Sequence, residues 1–166
     1  MDTRLGIVHW ESPIGFFSIK ASDKGITNLS FSQESTNVSL VTHSKWLIDQ
    51  CIAELSEYFC GKRHIFTVPL DLTGTPFQLS VWDALRKIPY GEVRSYQQIA
   101  TEINNAKAVR AVGGANNRNP VVIIIPCHRV IGKNGSMTGF GGGIWRKVWL
   151  LQLEHKNTKE GQDTPL

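Results

Sequence analysis

The sequence predicts a two-part α+β/α/β protein: a small N-terminal α/β domain over residues 1–73 and a mainly helical C-terminal domain over residues 74–166. Three observations predict this class. Short runs rich in β-branched and aromatic residues, separated by turn residues, fill residues 4–31. Helix-start signals recur over residues 75–117. A last apolar run then ends in a proline that is followed at once by a cysteine, which predicts a strand and turn carrying a reactive thiol.

The N-terminal half is predicted to be a β-meander followed by a helix and one more strand. The meander strands are expected at residues 5–10, 15–20 and 26–31. Apolar residues at helical spacing predict a helix over residues 46–59, and residues 65–72 return to strand character. Because no pattern of reactive side chains appears in this half, we interpret it as a scaffold.

A helix-turn-helix is predicted in the C-terminal half. Residues 75–78 form a capping box with proline at the first helical position, and they open a helix that ends at Pro89. Residues 95–98 repeat the capping pattern and open a short helix over residues 96–103, and a second helix is expected over residues 106–117. Two short helices joined by a polar turn are typical of DNA-binding units, although many helical hairpins bind nothing.

The stretch Pro126-Cys127-His128-Arg129 is the most informative part of the chain. The preceding residues, 121–125, are β-branched and predict a buried strand whose pairing Pro126 ends. A free cysteine is usually inert packing. Cys127 differs, because His128 and Arg129 are expected to lower the pKa of its thiol and make it a nucleophile.

A glycine-rich loop and a helix are predicted to complete the chain. The loop, residues 138–143, is not a phosphate-binding P-loop, because the Gly-Lys-Ser/Thr ending is absent. The helix is expected over residues 144–154 and carries Glu154, one of the few acids in this half. A carboxylate of this kind is the group needed to orient the imidazole of His128.

Charge is distributed unevenly along the chain. The net charge is +4, but residues 81–150 contain ten Lys/Arg and only three Asp/Glu, a net +7 that leaves −3 for the remainder. Basic charge on the half that holds the candidate nucleophile favours a polyanionic partner. An ordinary solvated surface explains the charge alone equally well.

Composition narrows the classes of protein that need to be considered. No apolar run approaches the roughly 20 residues of a membrane span, and the first residues do not lead into a signal-peptide core, so a cytoplasmic location is expected. Three cysteines without framework spacing suit a reducing compartment better than a disulfide scaffold. No Cys/His cluster has zinc-ligand spacing, and no metal site is predicted.

Several motifs together resemble the O6-alkylguanine-DNA alkyltransferases, and most closely their small stand-alone bacterial type. The resemblance covers about residues 73–155, and residues 1–72 fit the ribonuclease H-like N-terminal domain of that family in length and order. The motifs that carry it are Ser95-Tyr96-Gln97-Gln98-Ile99-Ala100, Arg110-Ala111-Val112-Gly113-Gly114-Ala115, Asn119-Pro120 and Pro126-Cys127-His128-Arg129-Val130.

The resemblance implies a role for each of five residues in the chemistry. Cys127 would accept the alkyl group, His128 would remove the thiol proton through a water, and Glu154 would orient His128. Asn119 would brace the active-site turn. Tyr96 would donate a hydrogen bond to the guanine ring as negative charge develops there.

The resemblance also implies how DNA and the damaged base are held. Arg110 would fill the gap left by a flipped nucleotide, with the helix-turn-helix in the minor groove of double-stranded DNA. The further DNA contacts would come from Ser95, Tyr96, Ala111, Gly113, Gly114 and Arg129. The base pocket would be formed by Val130, Phe140, Gly141 and Gly142, and glycine stands where many relatives carry a hydroxyl residue.

The implied activity is single-turnover DNA repair by irreversible transfer of the alkyl group from O6-alkylguanine, with O4-alkylthymine as a possible second substrate. No cofactor is expected, and the free protein is expected to be a monomer. A non-catalytic helix-turn-helix protein that binds DNA or lesions is the alternative. It is disfavoured because such lesion-binding proteins replace the acceptor cysteine, and Cys127 is present.

Overall fold

The computed structural model describes residues 6–33 and 44–162, with side chains described as far as residue 158. The chain forms two compact units, residues 1–73 and residues 74–166. In the described part of the chain, no helix has both the length and the apolar character that crossing a membrane requires.

The N-terminal unit is built on an antiparallel sheet in the order β1-β2-β3. Its strands are β1 (Gly6–Ser12), β2 (Gly15–Ala21) and β3 (Ile26–Ser32), followed by α1 (Lys45–Phe59). These bounds agree with the predicted meander and helix to within two residues, except that Leu5 lies outside the described residues. The sheet and α1 bury an apolar core between them, to which β2 contributes Phe17 and Ile19.

The predicted strand over residues 65–72 is wrong. Only Leu70 forms a bridge, to Ile26 at the start of β3. The backbone N–H groups of Thr67 and Val68 donate instead to the buried carboxylate of Glu54 on α1, at 3.1–3.2 Å. A side chain therefore satisfies the groups that a neighbouring strand would otherwise pair, and Pro69 has no N–H to offer a ladder.

As far as it is described, to residue 162, the C-terminal unit has four α-helices and a short parallel pair of strands. These elements are α2 (Pro76–Arg86), β4 (Arg94–Ser95), α3 (Tyr96–Glu102), α4 (Val109–Asn117), β5 (Val130–Ile131) and α5 (Ile144–Gln162). Both predicted capping boxes are present, one at Thr75 and one at Ser95. α3 and α4 form the predicted helix-turn-helix, and α2 packs against both of them.

Two helix boundaries differ from the prediction. α4 begins at Val109 rather than at residue 106, because Asn104 adopts a left-handed conformation (φ 59°) and the turn extends beyond it. α5 continues to Gln162 rather than ending at Glu154. Side chains in its added turns form hydrogen bonds with the helix backbone. The Thr158 hydroxyl, for example, donates to the Glu154 carbonyl at 2.8 Å.

Candidate active site

The segment before Cys127 is a tight buried turn, and the predicted strand over residues 121–125 is wrong. Asn119 holds both ends of this turn. Its Nδ2 donates to the Ile125 carbonyl at 2.7 Å, and its Oδ1 accepts from the Val121 N–H at 3.0 Å. The apolar residues are buried as expected, but one amide side chain replaces the partner strand.

Ile123 is in the left-handed region, with φ 71°, and its side chain is buried. This conformation costs a β-branched residue about 1–2 kcal/mol, so it persists only where neighbouring contacts impose it. The clamp by Asn119 and the burial of Ile123 supply those contacts. The turn therefore presents the next residues in a single fixed direction.

Cys127 begins a short 3₁₀ turn, Cys127–Arg129, and its side chain faces the interior. Burial raises the pKa of its thiol to about 11, although a hydrogen bond from Asn119 and the charge of Lys147 oppose that rise. The expectation that its neighbours lower this pKa is wrong, because loss of hydration outweighs the nearby positive charge. At neutral pH the sulfur is a protonated thiol, so a base must remove its proton before it can attack.

His128 and Glu154 form a fully buried pair. His128 Nε2 lies 2.8 Å from Glu154 Oε1. Burial alone would raise the pKa of Glu154, but the hydrogen bonds from His128 and Arg129 and the positive charge of Arg129 hold it well below its usual range. Since the carboxylate can only accept, Nε2 must carry the proton, which leaves Nδ1 with a lone pair. Among the described residues, no atom is hydrogen-bonded to Nδ1. Burial lowers the pKa of the ring, so His128 is neutral and Nδ1 can act as a base.

Arg129 was predicted to contact DNA, and the structure corrects that assignment. It is buried, and its Nη2 lies 2.8 Å from Glu154 Oε1. Its guanidinium also lies over the ring of Tyr90, 5.7 Å from the centroid. The side chain is committed to the interior, so it is not available to a phosphate group on the surface.

Lys147 is a site residue that the sequence interpretation missed. It is fully buried on α5, and its Nζ donates to the Val130 carbonyl at 2.5 Å and to the Thr138 carbonyl at 3.1 Å. Val130 was expected to form part of the base pocket, and its carbonyl already has a partner in Lys147. The available signal was helical spacing, because Lys147 lies seven residues before Glu154 and so shares its inward face.

Tyr96 and the glycine-rich loop lie together. The Tyr96 hydroxyl donates to the Thr138 carbonyl at 3.0 Å. Gly139 adopts φ 77°, and a Cβ at that position would come within 3.0 Å of the same hydroxyl. Phe140 is buried, whereas Gly141 is exposed and Gly142 partly exposed.

The outer face of the helix-turn-helix carries small residues beside one arginine. Arg110, Ala111 and Gly114 are exposed on α4, and a Cβ added at Gly114 would meet nothing within 4 Å. Gly113 is partly exposed, and a Cβ there would lie 4.0 Å from the Tyr96 ring. Ser95 caps α3 by accepting from the Gln98 N–H at 3.1 Å. A flat helix face of this kind allows another surface to approach the backbone closely.

The fold and the site together define a helix-turn-helix protein that carries its own buried nucleophile. The family model described as 6-O-methylguanine DNA methyltransferase, DNA binding domain, matches residues 76–156. The model described as the ribonuclease-like domain of the same methyltransferase matches residues 9–72. The chain therefore belongs to the 6-O-methylguanine DNA methyltransferase family, and the resemblance inferred from the sequence is confirmed.

Individual relatives agree with this assignment over nearly the whole chain. The methylated-DNA--protein-cysteine methyltransferase of Methanosarcina barkeri is 44% identical over 152 residues, which is 90% of this chain and 96% of that protein. The O6-methylguanine methyltransferase of Mycobacterium tuberculosis has a TM-score of 0.82 at 42% identity, covering 92% and 94% of the two chains. A structure of Mycobacterium tuberculosis OGT in complex with DNA has a TM-score of 0.81 at 43% identity, covering 91% and 93%.

Replacing Asn119 with Asp should destabilise the C-terminal unit. The substitution keeps the acceptor for the Val121 N–H but removes the donor to the Ile125 carbonyl, and an unsatisfied buried group costs about 1–3 kcal/mol. Urea denaturation of the full chain measures the loss. Asn105→Asp is the matched control, because Asn105 is exposed in the turn between α3 and α4, and it should change stability by less than about 0.5 kcal/mol. Equal losses for the two variants would show that Asn119 is not a clamp.

The Cys127 thiol of the free protein should titrate well above an ordinary cysteine, whose pKa is about 8.5. The ultraviolet absorbance of its thiolate, taken as the difference between wild type and Cys127→Ser, should keep rising with pH toward about 11. The difference between wild type and Cys60→Ser, measured in the same way, gives the corresponding signal of an exposed thiol. A Cys127 signal that is complete at neutral pH would contradict the inference that burial keeps this sulfur protonated.

Proposed function

We propose that this protein repairs DNA by transferring the alkyl group of O6-alkylguanine to the sulfur of Cys127. The observation that carries the proposal is the buried His128–Glu154 pair, which directly follows the buried thiol of Cys127 in a unit that also holds the helix-turn-helix. A buried thiol beside a neutral imidazole has an acceptor for its proton, and the helix-turn-helix supplies a surface that brings DNA to it.

The proton path follows from the tautomer of His128. Nε2–H is held by Glu154, so Nδ1 accepts the thiol proton, through one water molecule that the polar atoms on both sides would hold. The imidazolium that forms is stabilised by the Glu154 carboxylate. Because the thiol pKa is raised, removal of this proton accompanies the attack and does not precede it.

The transfer step balances without any other reactant. The sulfur of Cys127 attacks the alkyl carbon as its proton passes toward His128, the carbon–O6 bond breaks, and its electron pair passes into the guanine ring. The ring then takes up one proton at a nitrogen atom, and His128 returns the proton of the thiol to water, so that neutral guanine and a thioether remain. Tyr96 would exchange the Thr138 carbonyl for a ring nitrogen and donate a hydrogen bond to the charge that develops there. The ammonium of Lys147, close enough to lower the pKa of the Cys127 thiol, would stabilise the negative charge that develops on the sulfur during the attack.

DNA engagement relies on the exposed face of α4. Ala111, Gly113 and Gly114 allow the helix backbone to approach the minor groove, and Ser95 stands at the start of α3 beside it. The alkylated atom is inaccessible within the stack, so the nucleotide must be flipped out at a cost of a few kcal/mol. Arg110 would enter the stack in its place. Val130, Phe140, Gly141 and Gly142 would then line the pocket that receives the base.

The reaction leaves a thioether, and this bond is stable. Each molecule would therefore act once, as a monomer, in the reducing cytoplasm where the thiol persists. The transfer requires no cofactor or metal, because the nucleophile and the base both belong to the chain. O4-alkylthymine offers the same type of carbon–oxygen bond and is the second substrate to test.

Transfer should add one alkyl group to Cys127 and to no other residue. Wild-type protein mixed with duplex DNA that contains O6-methylguanine should gain the mass of one methylene unit, mapped by peptide mass spectrometry to Cys127. Cys127→Ser and undamaged duplex should both give an unchanged mass. A wild-type protein that binds the damaged duplex without any mass change would instead be a lesion-binding protein.

Arg110→Ala should slow transfer from duplex DNA at least about tenfold, because the flipped state loses the group that fills the stack. Transfer from the free nucleobase O6-methylguanine should stay near the wild-type rate, since no nucleotide has to be flipped. Arg118→Ala, which removes an exposed charge just after α4, is the control for loss of phosphate attraction alone. Equal losses for the two variants, or an Arg110→Ala loss on the free base, would exclude the stacking role.

A further inference from the structure

The buried guanidinium of Arg129 has no role in the transfer described so far. Nε lies 3.2 and 3.0 Å from the two carboxylate oxygens of Glu154, and Nη2 lies 2.8 Å from Oε1. Nη1 donates to the carbonyl of Ile88 at 2.8 Å. All three nitrogens are therefore used inside the protein, in a fork geometry that lysine cannot reproduce.

The same carboxylate serves His128. Glu154 Oε1 accepts from Nε2 of the imidazole and from Nη2 of the guanidinium, each at 2.8 Å. A fully buried carboxylate that is not compensated takes up a proton, and a protonated oxygen would no longer hold the imidazole N–H as a charged acceptor. Arg129 supplies that compensation permanently, because a guanidinium does not lose its proton.

We propose that Arg129 is a positioning residue for alkyl transfer, which fixes the ring and tautomer of His128 through the carboxylate that the two side chains share. This role rests on the proposed function. By keeping Glu154 ionised and holding both of its oxygens, Arg129 keeps the proton of His128 on Nε2 and the lone pair on Nδ1. The Ile88 carbonyl and the Tyr90 ring fix the guanidinium from its other side.

The pH dependence of the rate separates this role from simple structural support. Cys127 and Arg129 adjoin His128 on its own turn, and Glu154 and Lys147 act on it from α5. Burial lowers the pKa of His128, Arg129 and Lys147 lower it further, and Glu154 raises it. Removing Arg129 therefore raises the pH at which the coupled His128–Glu154 pair takes up one more proton. That proton removes either the lone pair on Nδ1 of His128 or the charge of Glu154, so the acid limb of the rate profile moves to higher pH.

The first measurement is the pH profile of methyl transfer to Cys127 for wild type, Arg129→Met and Arg129→Lys. We expect Arg129→Met to slow transfer at neutral pH at least about tenfold, within the contribution of general-base catalysis, and to move the acid limb upward. Arg129→Lys keeps the positive charge but loses the forked hydrogen-bond geometry of the guanidinium. The acid limb of its pH profile should therefore stay near that of wild type, and its transfer rate should fall less than that of Arg129→Met. A uniform loss in Arg129→Met with no movement of the limb would overturn the proposal.

A double-mutant cycle tests whether Arg129 acts through Glu154. In the Glu154→Gln background the carboxylate is absent, so adding Arg129→Met should change the rate by less than about twofold. This pair of substitutions also removes both buried charges together, which keeps the test valid if Arg129→Met alone folds poorly. An equal penalty for Arg129→Met in both backgrounds would overturn the proposal.

DNA affinity and a control variant distinguish the positioning role of Arg129 from a phosphate contact and from a general effect of losing an arginine. Affinity for duplex DNA and its salt dependence should be the same in Arg129→Met as in wild type, whereas loss of a phosphate contact would reduce the salt slope by about one. Arg63→Met is the matched control, because Arg63 pairs with Glu57 and donates to the Ile65 carbonyl in the N-terminal unit. Its rate and profile should be unchanged. A wild-type protein that fails to methylate Cys127 would refute the proposed function itself, whereas a normal Arg129→Met profile would refute only the role of Arg129.

Discussion

The C-terminal unit depends on the hydrogen bonds and ion pairs of one buried group, the carboxylate of Glu154. It is fully buried on α5, where it meets the imidazole of His128 and the guanidinium of Arg129, and the Gly91 N–H lies 3.3 Å from its Oε2. Taking a charge out of water is costly, and removing one partner of a buried pair leaves the other uncompensated. The turn that carries Cys127 and the loop before β4 are therefore held by one group, so the proposed active site and the entry to the helix-turn-helix are stabilised together.

A second constraint acts on the other side of Cys127. The turn that leads to it is closed by Asn119 and contains Ile123 in an unfavourable backbone conformation. A strained segment can have only one stable arrangement when its ends are clamped and its side chains are buried. Cys127 thus lies between two fixed anchors, an amide before it and a carboxylate after it. The sulfur has little freedom to move, which suits an attack that requires a defined direction.

Local signals made much of the fold predictable, and long-range polar contacts account for what was missed. The capping boxes at Thr75 and Ser95 are complete within four residues, so sequence alone located those helices. Both wrong strands were apolar runs whose backbone groups are satisfied by a side chain, Glu54 in one and Asn119 in the other. Nothing within an apolar run reveals such a partner, because strand propensity reflects how residues pack and not which group pairs with them.

The part of the site formed by residues adjacent in the sequence was predictable. The properties that depend on which side chains are buried were less predictable. Cys127 and His128 are adjacent and were found at once, whereas the burial of Arg129 and Lys147 depends on how α5 packs. Burial also reversed the expected pKa of the Cys127 thiol. That reversal suits a nucleophile that can be used only once. An exposed thiolate would react with any electrophile in the cell, whereas in the proposed mechanism the buried thiol becomes reactive only when His128 takes its proton.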